Sequence, residues 1–371
     1  MDRYYAANFL PAASVPAIVR ILLTLLLALA AALLCVALRT PIPWMIGPLL
    51  ATALLSMAGV PTASATPLRN GAQWTIGTAL GLYFTPAIAA LVAGMWWAIV
   101  LAIVWSLALG TLFGAWLQRV HALRFAHLRA GELRATTYFS GAIGAASEMT
   151  LLAERAGART DLVAASHSLR MVIVTLLVPF AMQWSGLHGL DMLPPAVRDV
   201  RLPGLAVLAV ATGAGVLLLR RAGGANPWFL GALLVSMGIT MSGTVLSAVP
   251  AWLTSAAQLV IGVSLGVRFT RAFVHTAPRW LGSIALGTLA LLALSGGFAV
   301  LLARGTGLHW ATMVLGTAPG GITEMSITAK VLQLGVPVVT AFQVCRLIAV
   351  LLLVEPAYRR FFGPAKHNAT A

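Results

Sequence analysis

Two short polar motifs interrupt an otherwise apolar chain, and they contain the residues best suited to chemistry. Each motif places a hydroxyl beside a carboxylate, and an arginine follows the carboxylate by 22 positions, in the next apolar segment. The residues are Ser147, Glu148 and Arg170 in the first motif, and Thr323, Glu324 and Arg346 in the second. A charge at bilayer depth costs about 2.5–3.5 kcal/mol, so these groups should face the protein interior and find a partner there. The pattern predicts a polar site inside a membrane protein.

A glycine-rich stretch precedes each carboxylate. The stretches are 140–144 and 317–321, and they add Gly144, Gly320 and Gly321 to the candidate site. Each interior glycine costs a helix about 1 kcal/mol and a proline about 3 kcal/mol, so both stretches should be broken or re-entrant. Non-helical backbone survives at that depth only where protein or a water-filled cavity satisfies its polar groups. Its free carbonyls suit a small cation, and the N-terminus of a half-helix suits an anionic group of a substrate.

Two interpretations of these residues stay open. The functional one is a substrate or ion site at which the two broken segments meet. The structural one is a pair of buried ion pairs, Glu148 with Arg170 and Glu324 with Arg346, that fix the packing of the helices. The same residues could serve both purposes.

The sequence contains an internal duplication. Residues 43–47 (PWMIG) return as 227–231 (PWFLG), residues 73–85 return as 258–270, and the two glutamate motifs lie 176 positions apart. A membrane protein built in this way has its functional site at the interface between the repeats. The Gly-x-x-x-Gly motifs at 77–81 and 262–266 should allow helices to approach closely.

The composition is that of a membrane protein. Sixty per cent of the residues are hydrophobic, 9% are charged, and the mean hydropathy is +0.94. In an ordinary soluble domain about a quarter of the residues are charged. The expected fold class is an all-α polytopic membrane protein made of two homologous halves, each with about five spanning helices and one broken or re-entrant element.

Apolar runs separated by charges and by Pro/Gly clusters give six elements per half. In the first half they are 16–38, 43–60, 70–85, 87–118, 137–153 and 161–183. In the second half they are 202–219, 226–247, 253–268, 280–303, 309–329 and 336–357. The predicted domains are an N-terminal tail (1–15), a first membrane repeat (16–183), a linker (184–201), a second membrane repeat (202–357) and a C-terminal tail (358–371).

The basic residues indicate how the two halves are oriented. If each fifth element turns back, each half crosses five times and the second half is inverted relative to the first. With the N-terminus inside, 17 of the 24 Lys and Arg residues then lie on the cytoplasmic side, as the positive-inside rule requires. Fifth elements that crossed fully would make the halves parallel and would place Arg220 and Arg221 outside. The inverted arrangement is favoured, with both termini cytoplasmic.

Other kinds of chemistry have little support in the sequence. The net charge of +15 follows from the positive-inside rule, and the basic loop from Arg119 to Arg134 should contact anionic lipid rather than nucleic acid. The two cysteines match no metal or redox spacing, and the seven histidines form no ligand set. We expect no enzyme activity, metal or cofactor. His167 has Gln343 as its counterpart, so this position should supply a hydrogen bond rather than a metal ligand.

The duplicated Pro-Trp-x-x-Gly, the Gly-x-x-x-Gly motif and the segment 320–325 (GGITEM) resemble the bacterial AbrB-duplication membrane proteins, over about 16–357. The resemblance implies an inner-membrane location and a role in regulating gene expression, and members also carry an ammonia monooxygenase label. It supplies no mechanism, and the scattered histidines argue against a monooxygenase. The first-half segment 144–149 (GAASEM) departs from the pattern, which predicts that the two half-sites are not equivalent.

Two functions follow from these observations. The first is a secondary transporter or permease for a small solute, coupled to a cation, with its site at the interface between the repeats. The alternative is a membrane-bound regulator that changes gene expression indirectly, as the family label implies.

Overall fold

The computed structural model describes residues 16–125, 129–186, 199–244, 246–271 and 277–362, and within these ranges it contains helices and no β-strand. The helices are α1 (Ala17–Ala37), α2 (Pro43–Met57), α3 (Thr66–Gly81), α4 (Pro86–Gly94), α5 (Trp96–His121), α6 (Ala130–Gly141), α7 (Ala146–Arg155), α8 (Thr160–Trp184), α9 (Leu202–Arg221), α10 (Pro227–Met241), α11 (Ala251–Gly266), α12 (Pro278–Thr306), α13 (Trp310–Thr317), α14 (Ile322–Leu332) and α15 (Val336–Phe362). The all-α fold is confirmed. The predicted N-terminal tail, most of the linker, and residues 363–371 of the C-terminal tail lie outside the described residues.

Six helices in the described part of the chain are long and apolar enough to cross a membrane: α1, α5, α8, α9, α12 and α15. They contain 20 to 29 residues, and about 20 residues are needed to cross the hydrocarbon core. Their outward faces are apolar. In α1 only Thr24, Ala28 and Ala32 are buried, while Leu22 and Leu23 are exposed. Because such a surface suits hydrocarbon and not water, the chain is a multi-pass membrane protein.

The second and third elements of each half are shorter. Helices α2, α3, α10 and α11 have 15 or 16 residues, which is about 22–24 Å of helix. Helix α4 follows α3 at an angle of 88°, so these two form a broken span or a re-entrant turn. That each half crosses the membrane five times therefore stays a prediction.

The prediction of one continuous element at 87–118 is wrong, because Met95 separates α4 from α5. The backbone of Met95 (φ −99°, ψ 17°) leaves the helical region there. Hydropathy could not locate this break, since the residues on both sides of it are apolar. At the other end of the chain, α15 continues to Phe362, beyond the predicted end of the repeat at 357.

Helices of the two halves pack in matching pairs. Helix α2 packs against α11 and α3 packs against α10, while α1 contacts α2 as α9 contacts α10. Helix α6 lies against α5 as α13 lies against α12. Helices α7 and α14 each pack on the long helix that follows them, α8 or α15. A duplication would produce such pairs, and the inversion of the second half stays a prediction.

Glycines lie at the closest of these paired contacts. A Cβ added at Gly77 in α3 would overlap the carbonyl oxygen of Phe229 in α10. A Cβ added at Gly262 in α11 would overlap the carbonyl oxygen of Met45 in α2, which is the equivalent contact. The Gly-x-x-x-Gly motifs thus allow close helix approach, as predicted.

Helices α2 and α10 begin with the same unusual backbone. Pro43 and Pro227 occupy the first helical turn, where proline is favoured. The residues before them, Ile42 (φ 46°, ψ 55°) and Asn226 (φ 43°, ψ 55°), are both left-handed. Asparagine tolerates this conformation, whereas a β-branched residue is strained in it.

Both fifth elements are broken, as predicted. Residues 142–145 separate α6 from α7, and residues 318–321 separate α13 from α14. The first residues of the two breaks have nearly identical torsions, with Ala142 at φ −54°, ψ 137° and Ala318 at φ −54°, ψ 139°. Each break therefore turns the chain in the same local manner and leaves the N-terminus of a new half-helix.

The basic loop is shorter than predicted, because Arg119 lies in the last turn of α5 and Arg134 lies within α6. Helix α5 continues to His121 and α6 begins at Ala130, so the connection between them covers 122–129. Residues 126–128 lie outside the described part of the chain. The guanidinium of Arg134 lies over the ring of Phe362, 5.8 Å from its centroid, at the distance of a cation–π contact.

Candidate functional site

The breaks of the two fifth elements line one cavity of about 130 Å³. Its wall contains all nine residues that the sequence predicted for the site. They are Gly144, Ser147, Glu148, Arg170, Gly320, Gly321, Thr323, Glu324 and Arg346. Segments far apart in the chain are thus brought together, while their role as a substrate or ion site stays a prediction.

The half-helices α7 and α14 both begin at this cavity. Their first backbone N–H groups have no partner within the helix, and the helix dipole makes this end attractive to anions. Glu148 and Glu324 are each the third residue of their half-helix. A carboxylate at that position can reach back to the N-terminus of its own helix.

Arg346 of α15 binds the backbone of the second break. Its Nη1 donates to the carbonyl oxygen of Ala318 at 2.6 Å, and its Nη2 donates to that of Gly320 at 2.7 Å. Gln343, one turn earlier, donates through Nε2 to the carbonyl oxygens of Leu315 at 2.7 Å and Ala318 at 3.3 Å. Only 6% of the Arg346 surface is exposed. The next helix therefore satisfies carbonyl groups that the break removes from helical bonding.

Arg170 of α8 does the same at the first break. Its Nη2 donates to the carbonyl oxygen of Ala142 at 2.7 Å, and its Nη1 donates to two carbonyls at the end of α6, at 3.3 and 3.4 Å. His167 lies between Arg170 and the carbonyl oxygen of Phe139, 2.6 Å and 2.9 Å from them. Because a guanidinium only donates, Nδ1 of His167 accepts and Nε2 carries the hydrogen. Position 167 thus supplies a hydrogen bond equivalent to that of Gln343, as the sequence predicted.

The ion pairs Glu148–Arg170 and Glu324–Arg346, which were the structural interpretation of the motif, are not formed. Among the described residues, neither glutamate lies within ion-pair distance of an arginine. The reason is that both guanidinium groups are already bound to carbonyl oxygens of the breaks. Sequence spacing alone cannot distinguish a carboxylate partner from a backbone partner.

The two glutamates differ in their surroundings. Glu324 is 4% exposed. It lies over Gly321, where an added Cβ would overlap it. At the equivalent position Ala145 has similar torsions and carries a Cβ, and Glu148 is only partly buried, accepting a hydrogen bond from Ser147 Oγ at 2.9 Å. The half-sites are therefore not equivalent, in line with the departure of 144–149 (GAASEM) from 320–325 (GGITEM), in which Ala145 stands at the position of Gly321.

Several polar residues of the cavity were missed by the sequence analysis. They are Arg69, Gln73, Asn226, Ser264 and Arg268. Three of them belong to the repeated segments 73–85 and 258–270, which were interpreted as packing helices. Both arginines were counted with the cytoplasmic loops. The repetition of segment 73–85 as 258–270 was the signal that could have placed α3 and α11 at the repeat interface.

The cavity carries an excess of positive charge. Four arginines and two glutamates line it. Arg69 and Arg268 attract Glu324 electrostatically, but neither forms a hydrogen bond or ion pair with a described residue. Arg170 and Arg346 are close enough to repel each other. In the part of the chain that the structure describes, no three His, Cys, Asp or Glu residues are grouped so that they could hold a metal ion.

The chain has relatives of similar length. The family described as "Transition state regulatory protein AbrB" matches residues 44–362. A protein of Escherichia coli (strain K12) named "Putative regulator AbrB" is 29% identical over 337 residues, which cover 88% of this chain and 92% of that protein. "Uncharacterized protein YhjN" of Bacillus subtilis (strain 168) is 26% identical over 345 residues, covering 86% of this chain and 87% of that protein. No solved structure matches the chain significantly. The match over most of its length shows that the chain belongs to the AbrB family.

Proposed function

We propose that the protein is a secondary transporter or permease for a small solute, with its binding site in the cavity between the two breaks. The observation that supports this most is the meeting of two discontinuous helices, distant in sequence, at one polar cavity among spanning helices. Charged groups buried among membrane-spanning helices are costly and are typical of substrate and ion pathways. Discontinuous helices at a repeat interface are the general form of binding sites in secondary transporters.

The proposal includes an orientation. The halves are inverted repeats in a bacterial inner membrane, and both termini are cytoplasmic. The basic region from Arg119 to Arg134 then faces the cytoplasmic leaflet, where anionic lipid headgroups attract Lys and Arg. The excess of positive charge on these connections supports this orientation over the reverse.

A coupling cation is also part of the proposal, and the carboxylates are the groups available to it. The break carbonyls, which the sequence analysis assigned to a cation, already accept hydrogen bonds from Arg170 and Arg346. Glu148 and Glu324 remain as acceptors that line the cavity. Either a proton or a metal cation could neutralise them during the transport cycle.

Reconstituted vesicles test the transport function. Uptake and efflux of a broad panel of labelled solutes should be compared between vesicles with the wild-type protein and empty vesicles. At least one solute should cross faster with the protein, and Glu324→Gln should abolish that difference. Glu154→Gln is the matched control, because Glu154 is an exposed residue of α7 outside the cavity. No transport across the panel, or wild-type transport by Glu324→Gln, would count against the proposal.

A second candidate is a membrane-bound regulator that acts on gene expression indirectly. The family description and the printed name of the E. coli relative support it. Deletion of the gene followed by transcript profiling tests this function, and unchanged transcripts would contradict it. If supplying or removing one metabolite restored the transcripts, the regulation would be a consequence of transport. Neither candidate assigns the protein an enzymatic reaction or a cofactor.

A further inference from the structure

We propose that the solute is a small carboxylate-bearing anion, held between Arg69 and Arg268 beside the N-terminus of α14. The inference rests on the proposed transport function and names the class of its substrate. It follows from the charge of the cavity, from the groups that are free to bind, and from the cavity's size.

The first step is the balance of charge. The four arginines of the cavity carry four positive charges, and its two glutamates carry two negative charges. His167 is neutral, because its Nδ1 accepts a hydrogen bond from Arg170. Two uncompensated positive charges that line one partly enclosed cavity repel each other, and a bound anion would offset that repulsion. A solute with one or two negative charges would remove this imbalance, whereas a cation would increase it.

The second step identifies which arginines can bind the solute. Arg170 and Arg346 are committed to the carbonyl oxygens of the two breaks. Arg69 and Arg268 line the same cavity, are only partly buried, and donate no hydrogen bond to a described residue. The planar guanidinium matches a carboxylate through two parallel hydrogen bonds. These two residues are therefore the ones that a carboxylate would bind.

The third step uses Glu324, a carboxylate that already lies in this region. It folds back over the N-terminus of α14 and is attracted by both Arg69 and Arg268. A second carboxylate at this place would compete with Glu324 for the same two cations. Removal of the Glu324 charge should therefore strengthen the binding of an anion.

Arg69 lies in α3 of the first half, and Arg268 follows α11 of the second half. Under the duplication, Arg69 corresponds to Thr254 and Arg268 corresponds to Tyr83. The equivalent positions in the other half therefore carry no positive charge. We infer that the carboxylate group is bound near the second break, and that the rest of the solute extends towards Glu148.

The cavity volume limits the size of the solute. The cavity volume of about 130 Å³ is several times the roughly 10–15 Å³ that one buried water needs on the same measure, so the cavity suits a small molecule. Guanidinium groups bind small carboxylates and phosphate through paired hydrogen bonds, and the carboxylate of Glu324 beside Gly321 favours the carboxylate class here.

Binding to the purified full-length protein tests the inference. Thermal unfolding and titration calorimetry should be measured with sodium succinate, sodium acetate and sodium phosphate, against sodium chloride at matched ionic strength. Succinamide, a neutral molecule of nearly the same shape as succinate, separates charge from shape. We expect stabilisation by at least one carboxylate and none by succinamide. Arg69→Gln and Arg268→Gln should each weaken binding about tenfold or more, as expected for the loss of a charge-assisted contact, and Glu324→Gln should strengthen it.

Arg221→Gln is the control, because it removes one positive charge from the exposed end of α9, outside the cavity. Size-exclusion profiles identify any variant that does not fold, and Arg268→Lys then takes the place of Arg268→Gln. Binding of succinamide as tight as that of succinate, wild-type affinity in both arginine variants, or no binding of any anion would overturn the inference.

Vesicle uptake distinguishes a failure of this inference from a failure of the proposed transport function. If the protein binds no anion but takes up a neutral or cationic solute, only the assignment of an anionic solute is contradicted. Anion binding without any uptake would contradict transport alone.

Discussion

The guanidinium of Arg346 binds the carbonyl oxygen of Ala318 at 2.6 Å, immediately after the end of α13. The equivalent guanidinium, Arg170, binds the carbonyl oxygen of Ala142 at 2.7 Å, after the end of α6. In each half an arginine from the following span thus supplies the donor that a continuous helix would have supplied. These two bonds explain how non-helical backbone is stable inside the protein.

Replacing this arginine should destabilise the fold. In Arg346→Gln the glutamine side chain is too short to reach the carbonyl oxygens of both Ala318 and Gly320. Each buried carbonyl left without a donor lowers the free energy of unfolding by about 1–3 kcal/mol. We expect a clearly lower unfolding temperature in detergent than for Arg221→Gln, which removes an exposed charge. Equal unfolding temperatures for the two variants would mean that the bonds to the break contribute little.

His167 should be replaceable by glutamine. Gln343 already makes the equivalent bond to a carbonyl oxygen in the other half. His167→Gln can donate to Phe139 and accept from Arg170, so its stability should be close to that of the wild type. His167→Leu leaves both partners unsatisfied and should lose about 1–3 kcal/mol for each of them. Thermal unfolding distinguishes the two variants, and a requirement for histidine itself would point to a role in proton or metal chemistry.

Close helix packing should fail when Gly77 gains a side chain. The Cβ of Gly77→Ala would overlap the carbonyl oxygen of Phe229, so α3 and α10 must move apart. Gly71→Ala is the control in the same helix, because no atom lies within 4 Å of its new Cβ, and alanine there should stabilise the helix by about 0.5–1 kcal/mol. Opposite changes in unfolding temperature are expected, and a neutral Gly77→Ala would contradict the tight contact.

The inverted orientation can be tested with single cysteines in a background without Cys35 and Cys345. Leu123→Cys and Ala222→Cys lie at exposed helix ends, one in each half. Inverted halves place both on the cytoplasmic side, so an impermeant maleimide added to intact spheroplasts should label neither, and it should label both in inside-out vesicles. Labelling of Ala222→Cys alone in spheroplasts would show that the halves are parallel.

The sequence was sufficient to predict the breaks and the residues that meet there. Glycine lowers helix stability, so Gly144, Gly320 and Gly321 indicated the breaks. The duplication predicted that the two breaks meet at the repeat interface. The partners of Arg170 and Arg346 were not predictable, because choosing between a carboxylate and a carbonyl depends on tertiary geometry. The positions of Arg69 and Arg268 in the cavity were not predicted, because basic residues near helix ends are also explained by the positive-inside rule. The break at Met95 has no polar signal at all.

The central claim is that a solute crosses the membrane through the cavity between the two breaks. Uptake by reconstituted vesicles, measured in parallel for the wild type, Glu148→Gln, Glu324→Gln and Glu154→Gln, tests it most directly. The two cavity glutamates line the proposed path, whereas Glu154 is exposed on α7. We predict that uptake falls at least tenfold in both cavity variants and stays at the wild-type rate in Glu154→Gln. Equal uptake by all four proteins would contradict the claim.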